Sequence, residues 1–348
     1  MRLPPVLLAA ASLVLAASAS PRATAASLPG STARATRFEA TGHHMGTTFR
    51  LVLYADSQNT ADAARDAAFA VISDLDQRLT DYRPDSELMQ ACATAWQHPV
   101  RLSPQVFELL ATSQQLAART GGAFDITVGA LTRVWRRARR ENEMPSADEL
   151  AAARAVTGWQ LLTLDPAEQT ISLAREGVRL DVGGNGKGYA ADKALAAMRA
   201  RGVDRAMVVA GGDIAIGAPP PDEPGWRIAL APFDDVPAPG GTLTVAHAGV
   251  STSGDAEQWM EIAGTRYSHI IDPRTGLPVT GRHAVTIVAP DATTSDGLDT
   301  ATSVLGDRAG AALVDATPGA SALFGTRDAA GAVRWTTSKA WHAAAGRP

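Results

Sequence analysis

Strand-like and helix-like stretches follow one another along this chain without regular alternation, and that order narrows the fold more than any other feature. Residues 48–54 (TFRLVLY) alternate β-prone side chains and read as a strand. Residues 60–79 place Phe69, Ile72 and Leu75 at helical spacing behind Asn59 and Thr60, which are able to cap a helix. Ser103-Pro104 opens a second helix that Gly121-Gly122 stops. Ser146 and Glu149 form a capping box for a third, through residue 155. Residues 178–182 (VRLDV) read as a strand, followed by a glycine loop, a helix over 189–201 ended by Gly202, and an apolar strand over 206–210. Further strands are expected at 226–231, 242–248 and 284–289, and a helix over 294–305 ended by Gly306. A doubly wound sheet needs strand and helix to alternate, so this order points to an α+β fold of mixed or antiparallel sheets with packed helices.

Composition removes several classes of function. The 348 residues carry a net charge of −4, which excludes a strongly basic nucleic-acid binder. Aromatic residues make up only 5%, too few for an RNA-stacking platform. The single cysteine, Cys92, cannot form an internal disulfide, an iron–sulfur cluster or a cysteine-based zinc site; it is expected to be a small half-buried residue. The arginines at 133, 136, 137, 139 and 140 are expected on a solvated helix face, the alternative being contact with an acidic partner surface. Residues 3–17 form an apolar run behind Arg2, with Ala17-Ser18-Ala19 and Ala23-Thr24-Ala25 after it. Residues 1–25 therefore read as a secretory signal peptide, residues 26–37 as a flexible lead-in and residues 38–345 as the functional domain. A periplasmic protein is expected, and not a lipoprotein, since no cysteine lies near the cleavage sites.

Five segments carry chemistry. In Asp181-Val-Gly-Gly-Asn-Gly-Lys-Gly188 a strand runs through glycines into a helix, which suits close approach to a phosphate, with Lys187 adding positive charge; an ordinary tight turn has the same pattern. Asp296 and Thr300 are four apart and share a helix face, with Asp299 beside them. A carboxylate and a hydroxyl there suit a hard cation such as Mg2+, or only a helix cap. His269 precedes the turn Asp272-Pro-Arg-Thr-Gly276 and serves as a base, a phosphate donor or a structural histidine. Gly122-Ala-Phe-Asp125-Ile-Thr127 and Gly211-Gly-Asp213 read as turns when taken singly.

Taken in order, these segments resemble one family. With His44-Met-Gly-Thr-Thr48, Leu79-Thr-Asp-Tyr82, Asp85-Ser-Glu-Leu88 and Thr252-Ser-Gly-Asp255, the chain resembles the ApbE-type FAD:protein FMN transferases over residues 38–323. The resemblance implies their fold, FAD as substrate and Mg2+ as cofactor. It places the metal on the main-chain oxygen of Gly184, Asp296 and Thr300, and the dinucleotide against Met45, Tyr82, Ala123, Phe124, Asp125, Asp181, Lys187, His269 and Ile270. The family often has alanine where Gly184 stands, which leaves a main-chain ligand unaffected.

The implied reaction moves FMN from FAD to a Ser or Thr hydroxyl of a partner flavoprotein of redox or membrane electron-transfer complexes, releasing AMP. Lys187 is the implied phosphate-holding residue. His269 is the expected general base, ahead of Asp272 and Asp299. Two other readings use the same residues: an FAD pyrophosphatase giving FMN and AMP, and a non-catalytic exported FAD-binding protein.

Overall fold

Eight strands form one antiparallel sheet whose spatial order follows the order of the chain: Thr36–His44, Thr47–Ala55, Ala206–Ala210, Asp213–Ile216, Ala248–Gly254, Arg282–Ala289, Ser321–Arg327 and Val333–Thr337. Each strand is laid beside the one before it, so every helix and minor sheet is an insertion between neighbours. This arrangement comes from a computed structural model describing residues 35–341, except 231–232, 234, 255–258, 263 and 329. The expected leader lies outside the described residues. No described helix is long and apolar enough to cross a membrane.

Alternation along the strands covers both faces. Phe49, Leu51 and Leu53 point into a core shared with Ile72 and Leu75 of helix Gln58–Leu79 and Ala190, Ala194 and Met198 of helix Gly186–Arg199. Val52, Val250, Val288 and Leu323 point the other way, into a second core closed by Trp226, Ile228 and Leu243 of the hairpin Trp226–Ala229 and Thr242–Val245. A third group, around Leu131, Trp135, Met260 and Ile271, seats helix Gly129–Glu141 on the small sheet Trp259–Ile262, Thr265–Asp272 and Leu277–Thr280. The α+β class with antiparallel sheets is as expected.

Several local expectations are corrected. Residues 178–182 are not a ladder strand. They make one parallel bridge, Val128 to Arg179, and the Asp181 amide donates to the Ile126 carbonyl at 2.7 Å, so loop residues satisfy this backbone. The helix after the glycine loop begins at Gly186 rather than 189. The first long helix is capped by the Ser57 hydroxyl, which accepts the Thr60 amide, not by Asn59 or Thr60. Within Ala292–Asp315 the expected stop is present: Gly306 is non-helical (φ 74°), and a second helical segment follows it across a kink. The stretch expected as strand 242–248 breaks at His247 (φ 50°). Strand Thr36–His44 begins inside the expected lead-in, and the two strands after residue 320 were not anticipated. Cys92 is buried rather than half-buried, and burial pushes its thiol pKa up.

Gly188 lies at a close contact between two helices. A Cβ there would lie 2.1 Å from the Ala292 carbonyl oxygen, so helix Gly186–Arg199 reaches helix Ala292–Asp315 only without a side chain. Gly188→Ala is expected to destabilise the fold by about 1–3 kcal/mol through overpacking. A lowered denaturant midpoint checks this; an unchanged midpoint would mean that the helices do not meet here.

Candidate functional site

A cavity of about 440 Å³ opens where the helix-rich insertion, the glycine loop and the small sheet converge. Its lining gathers Met45, Tyr82, Ala123, Phe124, Asp125, Asp181, Gly184, Lys187, His269, Ile270 and Thr300. Of the residues expected to form the site, only Asp296 is absent from this wall; it stands directly behind it.

Local rules explain each placement. Met45 and Gly46 form the two-residue turn between the first two strands, both with positive φ (49° and 72°), the conformation that matches strand twist in a tight hairpin. This directs the Met45 side chain toward the glycine loop, its Cε 3.6 Å from where a Gly186 Cβ would lie. Helix Pro104–Thr120 ends on left-handed Gly121 and delivers Ala123 to Asp125 to the wall. Phe124 then packs on Gly184, whose Cβ position lies 3.1 Å from its ring and from Thr300. Asp125 turns into its own loop, accepting the Thr127 amide at 2.8 Å and hydroxyl at 2.7 Å. Burial raises its pKa against those bonds.

The glycine loop is held at both ends. The Asp181 carboxylate accepts the Gly183 amide at 2.8 Å, and the Thr300 hydroxyl donates to the Gly184 carbonyl at 3.1 Å. The Gly188 amide donates to Asp296 at 2.9 Å. Lys187 projects from this first helical turn and contacts Asp213 at 2.8 Å and Asp296 at 3.5 Å. Asp213, Asp296 and Asp299 are all buried. Burial first, then repulsion from Asp213, pushes the Asp296 pKa up to about 7, with Lys187 opposing. Asp299 is raised well above the carboxylate range by burial and then by Asp213; it accepts the Ser253 hydroxyl at 2.9 Å. Burial disfavours the Lys187 charge, but attraction to Asp213 and Asp296 outweighs it and raises its pKa.

Three buried carboxyl groups lie around one ammonium, two of them with pKa values raised by burial and mutual repulsion. With the Gly184 carbonyl and Thr300 hydroxyl alongside, the donors are all hard oxygens, a chemistry that fits a small divalent cation. Among the described residues, no group of three or more His, Cys, Asp or Glu is arranged to hold a metal. The set that fits is a mixed one, with Asp296 as its carboxylate.

His269 lies exposed on strand Thr265–Asp272, at the cavity. The hairpin that carries it is anchored by the Trp135 indole, which donates to the Gly276 carbonyl at 2.8 Å. Asp272 is occupied by a two-point pair with Arg274, both contacts at 2.9 Å, and neither it nor Asp299 lines the cavity.

Three residues of this site were given no role from the sequence. Asp213 read as part of a turn, although its Gly-Gly-Asp setting was visible. Arg136 read as solvated, yet it lines the cavity, pairs with Asp81, contacts Asp181 at 3.2 Å and lies over Tyr82. Asp81 was quoted only as part of the Leu79-Thr-Asp-Tyr82 segment.

The ApbE family model matches residues 45–324. The chain is 32% identical over 287 residues to an FAD:protein FMN transferase of Klebsiella pneumoniae (strain 342), covering 82% of this chain and 87% of that protein. Its fold is similar to the apo form of the Pseudomonas stutzeri flavinyl transferase ApbE, with TM-score 0.80, 31% identity and coverage of 92% and 100%. It is also similar to the flavin transferase ApbE of Vibrio cholerae, with TM-score 0.77, 28% identity and coverage of 88% and 98%.

Lys187→Met should leave Asp213 and Asp296 without their cation and cost about 3 kcal/mol, as uncompensated buried charge does. Adding Asp213→Asn should restore part of that loss. Denaturant unfolding of the single and double variants measures both; equal midpoints for wild type and Lys187→Met would refute the charge balance.

Proposed function

The chain belongs to the ApbE family, and from that premise we propose that it is a Mg2+-dependent FAD:protein FMN transferase acting on a Ser or Thr hydroxyl of a partner flavoprotein. The observation that carries this reading is the convergence of segments from residue 45 to residue 300 on one cavity, with a buried oxygen cluster behind it. FAD is the substrate. The acceptor is a flavoprotein of redox or membrane electron-transfer complexes, and the leader-like residues 1–25 support a periplasmic location.

In this reading the wall formed by Met45, Tyr82 and Ala123 to Asp125 orients the dinucleotide, and the glycine loop lets its pyrophosphate approach the backbone. Lys187 holds a phosphate oxygen as a point charge. The acceptor hydroxyl oxygen bonds to the FMN-side phosphorus, the bond from that phosphorus to AMP breaks, and His269 takes the hydroxyl proton. Gly184, Asp296 and Thr300 would hold Mg2+, which supplies charge neutralisation at the pyrophosphate and the leaving AMP. Exposure of His269 at the cavity, whose lining does not include Asp272, supports its role as base.

The direct test is incubation with FAD, Mg2+ and a candidate acceptor. Covalent flavin fluorescence on the acceptor in a denaturing gel, with AMP released, is expected. Free FMN and AMP without any adduct would replace the transferase with a pyrophosphatase, and FAD binding with no product would replace it with a carrier.

His269→Ala is expected to slow single-turnover transfer by about two to four orders of magnitude, the range of a positioned base, while FAD affinity falls far less. A wild-type rate would exclude His269 as the base. Asp296→Asn, which keeps shape and removes charge, is expected to abolish transfer in a folded protein, as is chelation. Undiminished transfer in chelator would overturn the metal assignment.

A further inference from the structure

Helix Gly129–Glu141 brings Arg136 to the point where three segments of the cavity wall meet. Its guanidinium pairs with Asp81, just beyond the end of helix Gln58–Leu79, and with Asp181, at the head of the glycine loop. The same group lies over the Tyr82 ring, 4.5 Å from its centroid. Tyr82 itself is 74% exposed. The other Asp181 oxygen is the one that accepts the Gly183 amide.

We propose that Arg136 is a positioning residue for FAD: it fixes the Tyr82 ring as a ready-made stacking platform and, through Asp181, ties that platform to the phosphate-binding glycine loop. The inference rests on the flavin-transferase reading and adds to it a residue outside the segments that carry the family resemblance.

An exposed aromatic side chain samples several rotamers, and a planar ligand that stacks on it must bear the cost of ordering it. A guanidinium already stacked on one face removes much of that cost and leaves the other face for the ligand. The charge of Arg136 is matched by the two carboxylates of Asp81 and Asp181. Without it, Asp81 and Asp181 would face each other as like charges, and Asp181 would be pushed from the geometry that holds Gly183. One substitution therefore disturbs both the ring and the loop. Only a planar fork makes all three contacts together; an ammonium is a single point charge.

The test uses the full chain as wild type, Arg136→Met and Arg136→Lys, each also in a Tyr82→Leu background. FAD Kd is read by quenching of flavin fluorescence without acceptor, KM and kcat by transfer, and folding by denaturant midpoint. Arg136→Met is expected to raise Kd and KM for FAD about tenfold while kcat changes by less than about threefold, a loss of binding rather than of chemistry. Arg136→Lys should recover little of the loss. In the Tyr82→Leu background the effect of Arg136→Met should shrink, because part of it acts through the ring. Unchanged Kd and KM, full recovery by lysine, or an effect of equal size without Tyr82 would each overturn the proposal. Wild-type protein that binds FAD but transfers nothing counts against the transferase reading alone, since the binding arm still decides the role of Arg136. Wild-type protein that does not bind FAD overturns both.

Discussion

One ammonium among three buried carboxyl groups organises this molecule. Lys187 meets Asp213 from the central sheet and Asp296 from helix Ala292–Asp315, while it rides on the first turn of helix Gly186–Arg199. The contact is possible because Gly188, one residue on, lets the two helices touch and gives its amide to Asp296. Sheet, two helices and glycine loop are thus pinned at one point. A cluster of this kind is costly to bury and is weak evidence for stability. In the proposed reading its hard oxygens would hold a cation beside the substrate's pyrophosphate.

Around that point, the sheet supplies rigidity and the insertions supply chemistry. Because the eight strands follow chain order, the long excursions between them extend the wall without altering the pairing. The small sheet that carries His269 is not part of the main ladder; it is held to helix Gly129–Glu141 by the core around Trp135 and the bond from its indole to Gly276. The expected proton acceptor therefore sits on a hairpin separate from the glycine loop, both lining the cavity.

Much of the site was legible because its motifs are local. The glycines at 121–122 and 183–188, the capping box at Ser146 and the turn after Asp272 each encode geometry within a few residues. What escaped depends on partners far away in the chain. Arg136 belongs to a run of arginines that looks solvated, and its carboxylates stand 55 and 45 residues earlier and later. Residues 178–182 have the composition of a strand, but loop carbonyls and amides take up their hydrogen bonds. Gly306 does end a helical segment, as the sequence suggests, but the second segment that follows it to Asp315 was not anticipated. Which glycines are turns and which are contact points, as at Gly188, is settled only by the neighbour that comes against them.

The central claim is that dinucleotide and metal meet at this cluster, so each must tighten the other's binding. FAD affinity measured by fluorescence quenching, without acceptor, in Mg2+ and in chelator tests this directly. The account predicts that Mg2+ strengthens FAD binding and, reciprocally, that FAD strengthens Mg2+ binding by the same factor. Equal FAD affinity in Mg2+ and in chelator would contradict it.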